Sequence, residues 1–142
     1  MRRSPICVDA SFVLELVTCG GYRSPVVQLW SGWRETGRPV VAPTLLHYEV
    51  SQALGRYAGR GELLPDEVGQ ALEAALGLGI SFYDDAELHR HALGLTGRLS
   101  LSTKNAAHYL ALAERLGAEF WTTDRSLVQA VKSELPWVYL AE

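Results

Sequence analysis

A chain of 142 residues with 48% apolar and 20% charged side chains has the composition of one folded domain, which excludes a disordered chain and leaves no comfortable room for a second domain. Glu15, Glu49, Glu73 and Glu114 break the longest apolar runs, excluding the stretch of about 20 residues that a membrane crossing needs. A net charge of -3 excludes the general attraction of a basic domain for nucleic acid, so a polyanion would have to be held locally.

The first segment, Met1-Arg2-Arg3, is basic, but Asp9 and Glu15 interrupt the apolar stretch that a signal peptide would need, so a cytoplasmic location is expected. Pro5-Ile6-Cys7-Val8 is a short apolar run that stops at Asp9-Ala10-Ser11, residue types that cap and open a helix. Asp9 therefore sits where a strand hands over to a helix, the place where open α/β sheets bind ligands. Ser11 to Val17 reads as a helix stopped by Cys19-Gly20-Gly21, and Ser24-Pro25 to Thr36 as a second, with Trp30 and Trp33 at helical spacing in the core or an interface. Cys7 and Cys19 lack the paired spacing of a zinc site and are expected to be reduced, Cys7 as a small core residue.

Arg38 to Pro43 reads as a second strand, and Pro43 or Thr44 to about Ala58 as a helix with Leu46, Val50, Ala53 and Leu54 on its apolar face. Glu49 falls on or beside that face and needs a partner; an ion pair with Arg56 or Arg60 is the plain alternative to a functional role. Pro65 to Leu76 predicts a fourth helix and Gly79 to Tyr83 a third strand, after which Asp84-Asp85 cap a helix carrying Leu88, Ala92 and Leu95. His89 and His91 point about 160° apart on that helix and cannot easily share a metal. Ser102 or Thr103 is the expected cap of the next helix, which runs through Leu110 and Leu112 to Gly117 and puts Asn105 in its first turn. Glu119 to Trp121 is the fourth strand, followed by Asp124, a helix over Ser126 to Lys132 and a last strand at Trp137 to Leu140. Strands alternating with helices predict a three-layer α/β/α sandwich with a mostly parallel central sheet over residues 1–142 as one domain.

Asp124 repeats the setting of Asp9, an acid after an apolar run and before a helix, and two such acids suggest one pocket. Four pieces in this order resemble the PIN domain, and within it the VapC-like toxins of toxin-antitoxin pairs. They are Val8-Asp9-Ala10-Ser11, Pro43-Thr44-Leu45-Leu46-His47-Tyr48-Glu49-Val50, Asn105 through Ala113, and Phe120 through Arg125. The resemblance implies a ribonuclease that cuts RNA with Mg2+ or Mn2+ held by clustered acids, a homodimer, and a small antitoxin that blocks the groove. Asp9, Glu49 and Asp124 match family acids, whereas Asn105 stands where these proteins usually carry an aspartate.

Phosphodiester hydrolysis by carboxylate-held ions is consistent with these residues. Asp9 is expected as a direct ligand, Asp124 as a ligand directly or through water, and Glu49 as the group that orients the attacking water or binds a second ion. Ser11 and Thr122 would tie the carboxylates down, and Lys104 and Arg125 are candidates for the RNA backbone. The rival reading is a weakened or inactive PIN-like module that binds RNA or protein, because Asn105 lacks the charge of the acid it replaces. A phosphotransferase using Asp9 as nucleophile fits less well, since haloacid-dehalogenase-like enzymes would want an acid where Ser11 stands.

Overall fold

The computed structural model describes residues 4–19, 23–99, 101 and 106–142. Five strands form one sheet: β1 (Ile6–Val8), β2 (Val40–Pro43), β3 (Ser81–Tyr83), β4 (Glu119–Thr122) and β5 (Val138–Leu140), in the order β3-β2-β1-β4-β5. Every adjacent pair is parallel, so the sheet is parallel throughout where the sequence predicted mostly parallel. Ile6, Cys7 and Val8 in the central strand are fully buried, as expected of a parallel strand covered on both faces.

The helices are α1 (Ala10–Thr18), α2 (Pro25–Glu35), α3 (Leu45–Gly59), α4 (Pro65–Leu76), α5 (Ala86–Leu99), α6 (Ala106–Leu116) and α7 (Arg125–Val131). From β1 through β2 to β3 the chain steps one way across the sheet, and from β3 it crosses back to β4 and on to β5. Right-handed crossovers then place α1 to α4 on one face and α5 to α7 on the other. The packing agrees: α1 contacts α2, α3 and α4, while α6 pairs with α5 and lies across β1, β2 and β4. The result is the three-layer sandwich read from the sequence, and its strand order reverses between β1 and β4.

Local signals set the ends of these elements. The Ser24 side chain accepts from the Val26 N–H at 3.2 Å to open α2. Gly117, at φ 64°, lets the chain turn after α6, and the Ala118 N–H reaches back to the Ala113 carbonyl at 2.9 Å. Trp33, read as core or interface, is core: it is 6% exposed and stacks on Phe12 at 5.3 Å between ring centroids, so it offers no dimer face. The predicted stop at Gly20-Gly21, the predicted cap at Ser102 or Thr103, Lys104 and Asn105 lie outside the described residues. Among the described residues no helix is long and apolar enough to cross a membrane.

Asp85 ties the two helices of the second face together. Its Oδ1 accepts from the Leu88 N–H at 2.9 Å, capping α5, while Arg115 near the end of α6 donates to both carboxylate oxygens at 2.8 and 2.9 Å. These bonds, Arg115 first, pull the Asp85 carboxyl down to about 2. A carboxyl depressed in the folded state adds stability above its unfolded value of about 4, and that stability is lost as pH falls through the folded value. Asp85→Asn keeps a good cap and removes the ion pair. Urea unfolding is expected to show the variant less stable than the native protein near pH ~6, with the gap closing between about pH 4 and 2; a gap that does not change with pH contradicts the assignment.

Candidate active site

Adjacent parallel strands β1 and β4 deliver two acids to the same edge of the sheet. Val8 pairs with Trp121, so Asp9 and Asp124 follow neighbouring strands at nearly the same level. Each then caps a helix. Asp9, in an extended conformation (φ -105°, ψ -179°), accepts from the Phe12 N–H at 3.1 Å to open α1, and Asp124 accepts from the Leu127 N–H at 3.1 Å to open α7. This edge lies where the strand order reverses, and the crevice there is the usual ligand site of an open α/β sheet.

Two hydroxyls lock the pair. Ser11 Oγ donates to Asp9 Oδ1 at 2.7 Å, and Thr122 Oγ1, fully buried, donates to Asp9 Oδ2 at 2.6 Å. The same oxygens accept backbone protons: Thr122 Oγ1 from the Asp124 N–H at 3.0 Å and Ser11 Oγ from the Thr123 N–H at 3.1 Å. Each hydroxyl has one proton, and both point at Asp9. The 3.1 Å approach of Ser11 to Thr122 is therefore a contact between two acceptors, held together by the groups around it. Loss of water raises the Asp9 carboxyl from the usual range; the Thr122, Ser11 and Phe12 hydrogen bonds oppose this, and the nearby Asp124 adds to it.

The third acid enters from α3. Glu49, Asp9 and Asp124 line one small pocket of about 160 Å3, together with Ala106 and Tyr109 of α6. The Tyr109 phenol donates to Glu49 Oε1. Burial, then the bond to Glu49, pushes the Tyr109 phenol far above its ordinary value, so it remains a donor. Cys7 lies beneath, its thiol buried, raised by desolvation and directed at the Tyr109 carbonyl at 3.6 Å. Among the described residues no three His, Cys, Asp or Glu side chains gather closely enough to form a metal cage by themselves.

The sequence-predicted residues thus divide. Asp9, Glu49 and Asp124 meet at one pocket, Ser11 and Thr122 hold Asp9, and the Arg125 guanidinium is bound to the Glu142 carboxylate. Tyr109 was missed: inside an apolar helix it reads as core, and nothing local ties it to an acid 60 positions away. A second group was also missed. His89 bridges Asp84, at 3.1 Å from Nε2, and His108, at 3.0 Å from Nδ1, beside a larger cavity at the ends of β2 and β3. His47 turns elsewhere, its ring 4.3 Å from that of Phe82.

Thr122→Val keeps the side-chain shape but deletes the hydroxyl, leaving Asp9 Oδ2 without that donor and the Asp124 N–H without that acceptor. Urea unfolding is expected to show a loss of ~1–3 kcal/mol, most of it restored by Thr122→Ser. A loss within the scatter of surface substitutions, about 0.5 kcal/mol, contradicts the arrangement.

No protein-family model matches the chain. The chain is 33% identical over 90 residues to Ribonuclease VapC3 of Pyrobaculum aerophilum, a match that spans 60% of the chain and 66% of that relative, just short of two thirds of its length. Among solved structures, a toxin-antitoxin complex from Klebsiella pneumoniae superposes with a TM-score of 0.69 at 16% identity, covering 96% of this chain and 98% of that one. VapC20 of Mycobacterium tuberculosis, described as a sarcin-ricin loop cleaving toxin, superposes with a TM-score of 0.64 at 20% identity, covering 88% of this chain and 94% of that one. The chain therefore shares the fold of these toxin-antitoxin proteins along nearly its whole length and resembles a VapC ribonuclease in sequence over 90 residues.

Proposed function

We propose that the protein is a metal-dependent endoribonuclease of the VapC type, which hydrolyses RNA phosphodiesters at the pocket lined by Asp9, Glu49 and Asp124. The observation that carries this reading is the convergence of those acids, two from adjacent parallel strands and one from α3, on a single small pocket. The kinship to a protein named a ribonuclease supports it. The donors fit a hard divalent cation: the acids that line the pocket offer carboxylate oxygens, with the Ser11 and Thr122 hydroxyls holding one of them. The raised Asp9 carboxyl, desolvated and facing Asp124, is the kind of group whose ionised form a cation would favour.

Asp9 and Asp124 would hold Mg2+ or Mn2+, with Asn105 at the position of the missing family acid able to add a carbonyl oxygen but no charge. Such an ion supplies Lewis acidity at the phosphate and lowers the pKa of water. Ser11 and Thr122 keep the Asp9 carboxylate aimed. Glu49, gripped at Oε1 by Tyr109, orients the attacking water and takes its proton. Lys104 and Arg125 would meet the RNA backbone, Arg125 after releasing Glu142. The same reading assigns the protein a small antitoxin as partner, a homodimer as its assembly, and the cytoplasm as its place. Asn105 and the absence of a close three-acid cluster among the described residues favour one alternative, a scaffold that binds RNA or protein and cuts poorly.

Incubating the purified protein with a mixed RNA panel decides between them. Cleavage is expected with Mg2+ or Mn2+, lost in chelator and reduced at least about 100-fold in Asp9→Ala, in keeping with removal of a group that acts on the transition state. Asn105→Asp is expected to raise both metal affinity and rate. Silence from the native protein and from Asn105→Asp alike would reject the ribonuclease.

A further inference from the structure

We propose that the cavity beside the carboxylate pocket is a nucleobase subsite, in which one base of a bound RNA strand stacks on Tyr48 while a phosphodiester elsewhere on that strand lies at Asp9 and Asp124. The inference rests on the ribonuclease reading for the identity of the strand. The cavity, about 480 Å3, opens at the ends of β2 and β3 and falls within the size range of small-molecule sites. Tyr48, Tyr83, His89 and His108 give it flat rings, and Thr44 and Asp84 give it polar groups.

Three observations converge on a base. Tyr48 lines the cavity and is 67% exposed, so its ring is open to a ligand, and tyrosine suits a surface where one end of the side chain is apolar and the other wet. The two pockets are lined by different residues of the same two helices: Tyr48 precedes Glu49 on α3, and His108 precedes Tyr109 on α6, so the rings of one pocket lie one residue along the chain from the side chains of the other. The net charge of -3 gives no general hold on RNA, whereas stacking is indifferent to charge and to sequence. The histidines do not make the cavity a metal site, because both His89 ring nitrogens are already bonded, one to Asp84 and one to His108. They brace its wall.

The test is an affinity scan in EDTA with a fluorescein-labelled single-stranded RNA of about ten nucleotides, intact or carrying one abasic ribose at each position in turn. Tyr48→Ala is expected to weaken binding of the intact RNA about five- to 100-fold, the range of one lost base stack, while Tyr48→Phe binds normally. One abasic position should weaken the native protein by a similar factor and leave Tyr48→Ala unchanged, the non-additive signature of direct contact. Equal RNA affinity of Tyr48→Ala and the native protein overturns the subsite and leaves the cavity to a protein partner; purely additive abasic effects overturn it as well. Cleavage with Mn2+ by the same preparations separates the two readings. Cutting that continues without Tyr48 dependence removes the subsite alone, Tyr48-dependent binding without cutting removes the ribonuclease alone, and no RNA binding by the native protein removes both. Because Tyr48 is so exposed, matching thermal melts are expected for all three proteins.

Discussion

Two carboxylates of like charge held at one edge of a buried sheet must be held by something, and here the Thr122 hydroxyl does much of it. Its proton goes to Asp9 and its oxygen receives the Asp124 N–H, so one fully buried side chain connects the end of β1 to the start of α7. Ser11 makes the matching connection, from Asp9 to the backbone of Thr123. The fold supplies the setting, since only neighbouring parallel strands end side by side, and β1 and β4 are neighbours because the chain crosses back over the sheet after β3. The position of the site follows from strand order before any side chain is considered.

That arrangement opposes folding locally, because desolvation and the facing Asp124 both disfavour a charged Asp9. Natural proteins tolerate such conflicts chiefly where function needs them, which is why a pocket of about 160 Å3 weighs more in the functional reading than the larger cavities around it. The second group at this edge, Asp84, His89 and His108, differs in kind: it is exposed and mutually hydrogen-bonded, and it shapes a wall rather than concentrating charge.

Much of this was legible in the sequence because it is local. Asp9 and Asp124 each end an apolar run and start a helix, and the caps alone mark both. Ser11 and Thr122 lie within two residues of those acids, so their role follows from spacing. The Glu49–Tyr109 bond was not legible, since it joins helices from opposite layers and Tyr109 sits in an otherwise apolar segment. The His89–His108 contact was hidden for the same reason, its partners belonging to different helices that meet only when α5 and α6 pack. Arg125 read as a candidate for the RNA backbone, with no sign of its bond to Glu142, which is distant in sequence yet adjacent once β5 joins the sheet. Asn105 and Lys104 remain sequence-based expectations outside the described residues.

On this reading Asp9 and Asp124 hold a divalent cation with Glu49 beside it, and anomalous diffraction from crystals soaked in Mn2+ reads that site without recourse to activity. A peak is expected in the pocket between β1 and β4, within about 2.0–2.4 Å of an Asp9 carboxylate oxygen and within reach of Asp124 directly or through water. A fully occupied Mn2+ elsewhere on the molecule, with this pocket empty in the same crystal, would contradict it.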